Sequence, residues 1–444
     1  MTYKLDDHFS YKKLILISLP AIMQMIFTSI YGIVDGIFIS NYCGRTAFSA
    51  VNIIWPYTMI LSAFGFMVGT GGVALTAKTL GEGKKELASK ILSMMFYFVL
   101  ILGLILSIAS FFLTRNIAYA LGARGDLLNY ATRYGRLLVL FNAFFMVQSF
   151  FHNFFIVAEK PKLGFLSTLL AGLTNMLLDF LFVGVFKFNL EGAAVATGLS
   201  YIVGAGFAFF YFTFNKTTNI HLGKTRLEFS YIKKACTNGS SELVSNISMA
   251  VVSMLFNAQL LRYLGDIGVA AYGIIMYVGF IFIAIFIGFD ISTCPIISYN
   301  YGAKNKEELK NVYKKTIQIM FLMGACMTIL TFALSNPLCY IFSRNDKELY
   351  DLSTYAIRIY AFMFLFGSIS FYASSFFTAL NNGLVSALIS FVRVVIFQIG
   401  CILILPLIFG SDGIWFSIVL SEVFGMIFAI VFILKYKKKY EYWY

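Results

Sequence analysis

Gly81-Glu82-Gly83-Lys84-Lys85-Glu86 returns as Gly302-Ala303-Lys304-Asn305-Lys306-Glu307, an offset of 221 from position 81 to position 302. Each hexapeptide closes a long apolar run, so the pair reads as one structural turn used twice. It superficially resembles a phosphate-binding loop but lacks the Gly-x4-Gly-Lys-Ser/Thr spacing. The same ungapped shift carries Tyr42 and Gly44 to Tyr263 and Gly265, and Tyr134 and Ala158 to Tyr355 and Ala379. It also carries Gly192, Leu199, Ser200, Gly204, Phe207 and Ala208 to Gly413, Leu420, Ser421, Gly425, Phe428 and Ala429. One offset matching so much of the chain implies two halves from one duplication. Duplicated membrane proteins of this kind are typically transporters that rock one half against the other around a central site.

The composition sets the environment of both halves. The 444 residues are 59% hydrophobic, 18% aromatic and 12% charged, against about 25% charged in a soluble chain. Residues 14–34, 46–77, 91–114 and 316–343 carry no charge at all, and roughly 20 apolar residues cross a bilayer as a helix. Six spans per half follow, near 14–40, 47–77, 91–114, 128–158, 162–186 and 191–214, then 233–261, 268–300, 311–336, 349–380, 384–409 and 413–434. The expected fold is an all-α integral membrane protein of twelve transmembrane helices. They form two six-helix lobes around a central cavity. An even number of spans gives both halves one orientation, so the repeats are parallel, related by an axis along the membrane normal. The expected units are an amino-terminal lobe at 1–214, a cytoplasmic linker at 215–231 and a carboxyl-terminal lobe at 232–444. The linker carries Lys216, His221, Lys224 and Arg226.

The net charge of +13 raises nucleic acid as a partner, but its distribution answers otherwise. With both termini in the cytoplasm, the inside segments hold 23 of the 34 Lys and Arg, which is the positive-inside bias. The tail Lys435, Lys437, Lys438 and Lys439 faces anionic lipid in this reading. A nucleic-acid role wants a basic face on a soluble domain, and no such domain is present. The chain is therefore expected as a multi-pass protein of a bacterial-type plasma membrane, acting as a monomer. The first apolar stretch is too long for a signal-peptide core and reads as an uncleaved span. The six cysteines show no paired spacing and read as apolar packing residues.

The informative residues are the charges inside spans, each costing about 2.5–3.5 kcal/mol at the bilayer centre. The acids are Asp35, Asp179, Glu242, Asp290 and Glu422; the bases are Arg133, Arg136, Arg358 and Arg393. Asp35 in span 1 and Asp179 in span 5 reach a similar depth in the outer half. Asn175 lies one helical turn before Asp179 on the same face, and Thr197 in span 6 lies at a comparable depth. Asp35, Asn175, Asp179 and Thr197 offer oxygen ligands only, which suits Na⁺ or a proton shared between carboxylates. The structural alternative pairs Asp35 or Asp179 with Arg133 or Arg136. The offset of 221 fails at these positions, where Phe256, Ile396, Gly400 and Ile418 stand instead.

The second half has its own set. Glu242 and Arg393 reach similar depth, and two readings stand side by side: an ion pair, or Glu242 facing the cavity toward a cationic substrate. Asp290 lies toward the inner end of span 8, at an inner gate or in solvent. Arg358 is expected to partner an acid. Asn153 in span 4 is a second candidate for the cavity wall, with a packed His152–Asn153 pair as the competing reading.

These residues carry a resemblance. Pro20 with Asp35 in span 1, the Leu80-Gly81-Glu82-Gly83 turn, the second-half start Gly239-Ser240-Ser241-Glu242, and Asn175-x3-Asp179 with Thr197 make the chain similar to the multidrug and toxic compound extrusion family of cation-coupled antiporters. The likeness covers essentially the whole length. It implies that Asp35, Asn175, Asp179 and Thr197 bind H⁺ or Na⁺, that Glu242 matches an acid used by some members, and that bending at Pro20 accompanies cation loading. It implies no cofactor beyond the coupling ion, and small-molecule substrates. An acid that one branch places in span 10 is absent; Arg358 is the charge there. The function expected is export of organic, amphipathic, cationic compounds in exchange for H⁺ or Na⁺ by alternating access. The alternatives are a lipid-linked precursor flippase of the same superfamily, a channel, or an intramembrane enzyme. The last finds no metal or nucleophile constellation around His8, His152 and His221.

Overall fold

The computed structural model of the protein describes residues 3–215, 218–344 and 346–443. Lys216 of the linker lies outside them. Every regular element among the described residues is helical. The first lobe consists of α1 (Tyr11–Phe38), α2 (Arg45–Gly81), α3 (Lys85–Ala120), α4 (Gly125–Leu140), α5 (Asn142–Val157), α6 (Pro161–Asp179) and α7 (Asn189–Phe214). The second holds α8 (Phe229–Asn238), α9 (Ser240–Leu264), α10 (Asp266–Gly302), α11 (Lys306–Ala333), α12 (Ser335–Ser343), α13 (Lys347–Tyr360), α14 (Phe362–Ala379), α15 (Gly383–Phe391) and α16 (Ile399–Tyr440). Ten helices are long and apolar enough to cross a bilayer, and α4 with α5, bent by 52°, makes an eleventh. The twelfth comes from the 58-residue run Gly383–Tyr440, which is divided at Gly410, where φ is 59° and ψ −138°. The protein is thus an all-α, multi-pass membrane protein of twelve spans in two lobes.

The duplication is written into the backbone as well as the sequence. Helices α2 and α10 begin and end at the offset of 221, and α3 and α11 start at it. Positive φ recurs with it: 86° and 67° at Gly44 and Gly265, 79° and 55° at Gly83 and Lys304, 52° and 59° at Asn189 and Gly410. These are the turns between spans, where a left-handed residue lets the chain reverse within a few positions. The hexapeptide Gly81–Glu86 is such a turn. Span 7 differs from its sequence reading: a break at Gly239 separates the short α8 from α9. Helix α1 runs unbroken through Pro20.

The described ends of the chain lie on one side of the bundle, here the terminal face: Phe9 bonds Glu308 and Trp443 packs on Tyr313, both on α11. The lobes meet there through α1 and α2 of the first and α8, α9 and α10 of the second. Glycines make this seam. A Cβ on Gly71 would stand 2.0 Å from the Ala235 carbonyl oxygen, and one on Gly302 would stand 2.0 Å from that of Lys78. Gly288 takes the Ile22 backbone in the same way, at 2.5 Å. Asn381 adds a hydrogen bond across the seam to the Ala74 carbonyl at 3.2 Å. All these contacts fall on the helix halves nearest the termini. Facing outward from the bundle, Phe112, Ile341 and Leu407 are 69%, 70% and 70% exposed, as side chains are when the solvent is lipid.

Candidate cation site in the first lobe

Two helices of the first lobe change their winding at the site. Helix α1 passes into a π-helical turn, Ile39–Cys43, and α6 into another, Phe180–Val185, directly after Asp179. A π turn widens the helix by one residue and redirects the side chains beside it. The two π-helical ends touch one another. Below them α1 and α6 pack closely because Gly172 leaves room: a Cβ there would lie 2.5 Å from Phe27 Cε1 and 3.0 Å from Tyr31 Cδ1. Helix α7 lies along the other side of α6.

This packing brings Asp35, Asn175, Asp179 and Thr197 together. Asn175 donates from Nδ2 to Thr197 Oγ1 at 3.3 Å. Asp179 is 0% exposed, Asn175 1% and Thr197 9%; Asp35 is half-buried. The Asp35 and Asp179 carboxyl groups stand within hydrogen-bond reach of each other. Two carboxylates are both acceptors, so facing each other satisfies neither. Accordingly Asp35 Oδ1, both Asp179 oxygens and Asn175 Oδ1 are buried with no hydrogen-bond partner among the described residues. Buried polar atoms are nearly always paired. Four unpaired oxygens in one place form a set of acceptors whose chemistry fits a cation or a shared proton.

Three tyrosines near this set were not named by the sequence reading. Tyr31, Tyr134 and Tyr201 lie within electrostatic range of Asp35. A signal for two of them was present: Tyr31 stands one turn before Asp35, and Tyr201 one turn after Thr197.

The arginines do not serve these acids. Arg133 is 74% exposed at its side chain and stands 3.7 Å from Glu191. Arg136 lies over the Phe111 ring, 5.3 Å from its centre. The pairing of Asp35 or Asp179 with either arginine is not formed. In the second lobe, Arg393 pairs with Glu422 and not with Glu242. Its Nε lies 2.9 Å from Oε2 and its Nη2 2.8 Å from Oε1, and its guanidinium covers the Phe371 ring at 3.8 Å. Both partners are buried, at 7% and 1% exposure. Glu242 instead sits in the first turn of α9, within electrostatic range of Asp290 on α10. Arg358 donates to Ser335 Oγ and Asn336 Oδ1 at 3.1 and 3.0 Å, which corrects the expectation of an acid partner. Asn153 is buried with its amide against Gly69 of α2. His152 bonds Thr168 on α6 at 3.1 Å and not its neighbour Asn153.

A profile of the MatE family matches residues 20–181 and again residues 243–403, once in each half. The chain belongs to the MatE family. MatE proteins are transporters, so this chain is a transporter and not an enzyme. Among curated relatives, the multidrug export protein MepA of Staphylococcus saprophyticus is 25% identical over 432 residues, covering 97% of this chain and 95% of its own. MepA of Staphylococcus aureus is 25% identical over 415 residues, covering 93% and 91%. Among solved structures, a MATE in complex with MaL6 superposes with a TM-score of 0.93 at 21% identity, over 98% of both chains. An outward-facing multidrug resistance MATE family transporter of the MOP superfamily gives 0.92 at 21% identity over 99% of both. At such identity the structural likeness speaks to the MatE fold alone.

Proposed function

We propose that the protein is a secondary antiporter that exports organic, amphipathic cations in exchange for H⁺ or Na⁺, with the ion held at Asp35, Asn175, Asp179 and Thr197. The observation that carries this reading is the cluster of buried, unpaired oxygens at those residues. Adjacent carboxylates in a low dielectric repel, and one proton or one Na⁺ between them relieves the repulsion. An ion bound there changes the preferred packing of α1 on α6, the helix pair that carries the two acids. Substrate and ion then need not touch to exclude one another. The multidrug relatives favour drugs as cargo over the lipid-linked precursors of the flippase reading.

The units of motion in this proposal are the lobes at 1–214 and 232–444, joined through 215–231, in a cell membrane with the basic terminal face in the cytoplasm. The seam closed at that face corresponds to the state open to the outside. One elementary charge moving through 100 mV yields about 2.3 kcal/mol, and about 1.4 kcal/mol is tenfold in concentration. One ion thus sustains a gradient of tens-fold for an uncharged substrate. A monovalent drug exchanged for one monovalent ion moves no net charge and draws only on the ion's concentration gradient.

Purified protein in proteoliposomes, loaded with an ethidium-like dye and given a Na⁺ or an H⁺ gradient separately, tests the coupling. Dye movement that follows one imposed gradient and stops when it is collapsed is expected. Dye flux indifferent to both gradients contradicts antiport and indicates a channel.

A further inference from the structure

The residues ahead of α1 cross from one lobe to the other. Tyr3, Leu5 and Phe9 are 5%, 2% and 0% exposed, whereas a chain end is usually loose unless tied down. The Tyr3 hydroxyl donates to the Ile156 carbonyl at 2.8 Å, and the Leu5 N–H donates to Glu159 Oε1 at 3.0 Å. Both acceptors belong to the first lobe, at the terminal-face end of α5. A few residues on, the contacts change lobe. Glu308 on α11 accepts from the Phe9 N–H at 2.9 Å and bonds His8 Nδ1 at 2.6 Å. Asn311 and Lys315 donate to the Phe9 carbonyl at 3.0 and 2.7 Å. Asn311 also donates to Glu308 Oε1 at 2.7 Å, which orients the carboxylate toward the strap. Behind it, Lys13 pairs with Asp7 at 2.7 Å and covers the Phe9 ring.

The holding residues are peculiar to the second lobe. At the offset of 221, Glu308, Asn311 and Lys315 correspond to Leu87, Lys90 and Met94. In the first lobe α3 holds the linker, on a different face: Ser89 and Ser93 accept from the His221 and Gly223 N–H groups at 3.3 and 3.0 Å. Each lobe's third span thus grips the segment that enters the other lobe. The linker joins the lobes covalently, whereas the grip on residues 8–9 is the part that can let go.

We propose that residues 3–9 are a latch, bridging α5 and α11 to hold the terminal face shut, and that the grip of Glu308 on His8 and Phe9 breaks before the lobes part on that side. The latch rests on the alternating-access reading above. It makes the amino terminus a control on how often the transporter turns inward, separate from the ion site.

The test uses spin labels on the full-length protein in lipid nanodiscs. Glu86→Cys and Lys438→Cys are exposed positions on the terminal face, one in each lobe; Cys43, Cys236 and Cys326 are replaced by alanine. Pulsed dipolar spectroscopy then gives the ratio of wide to narrow lobe separations, with and without Na⁺ and at neutral and acid pH. Glu308→Gln keeps the shape of the side chain and removes its charge. It should raise the wide fraction roughly tenfold, the effect of losing charge-assisted hydrogen bonds. His8→Ala should raise it by less; its side chain is 74% exposed, so folding is not at stake. Glu307→Gln should match the parent. Parental ratios in both Glu308→Gln and His8→Ala, from a parent that does switch, overturn the latch alone. A parent with a single separation under every condition overturns alternating access and the latch with it.

Discussion

At the scale of single residues, the chain holds two kinds of buried acid. Glu422 is saturated by a bidentate arginine under an aromatic ring, while Asp35 and Asp179 face each other with oxygens unpaired. The first arrangement is a closed ion pair, and the second is the place where the proposed mechanism puts the ion. Removing one partner of a buried pair leaves an uncompensated charge, at a cost of about 3–5 kcal/mol. Arg393→Met should therefore lower the unfolding temperature sharply in detergent, and Arg393→Met with Glu422→Leu should recover most of it. A double variant as unstable as the single would mean that the pair is not the reason for the loss. The grouping of Asp35, Asn175, Asp179 and Thr197 was legible in the sequence because depth and helical spacing both follow from counting along a span. The partner of Arg393 was not legible. Depth placed it level with Glu242, but which of two acids it meets depends on helix rotation about its own axis, which counting does not give. Arg358 failed for a different reason: an arginine's need is for acceptors, and a hydroxyl and an amide met it.

At the scale of elements, spans were legible and their interruptions were not. Apolar runs are read from composition, but the π-helical turns after Asp35 and Asp179, and the break at Gly239, follow from packing against neighbours. Gly410 divides a 58-residue helical run, and its mate Asn189 opens α7 with the same handedness of φ. Glycines in helices likewise have two roles that sequence does not separate. Gly71 lies against the Ala235 carbonyl, whereas Gly206 has nothing within 4 Å of where a Cβ would be. Gly71→Ala should force α2 from α8 and destabilise the protein by about 1–3 kcal/mol. Gly206→Ala should instead stabilise α7 by about 0.5–1 kcal/mol. Thermal unfolding of the two variants checks this, and equal effects would contradict the close seam.

At the scale of the molecule, the repeat explains the scaffold and its failures locate the chemistry. Turns, packing glycines and helix starts recur at the offset of 221. The proposed ion ligands Asp35, Asn175, Asp179 and Thr197 do not recur, and neither do the proposed latch residues Glu308, Asn311 and Lys315. In the proposals above, a symmetric pair of lobes carries an ion site on one side and a clasp on the other. Such a division lets each be altered without the other, so latch variants should retain ion dependence while changing its rate. The central claim is that one lobe's carboxylate pair couples ion to drug, and Asp179→Asn tests it most directly. In proteoliposomes under the gradient that drives the parent, this variant should insert, fold and bind dye, yet show no gradient-driven efflux. Undiminished efflux from a folded Asp179→Asn protein would contradict the account.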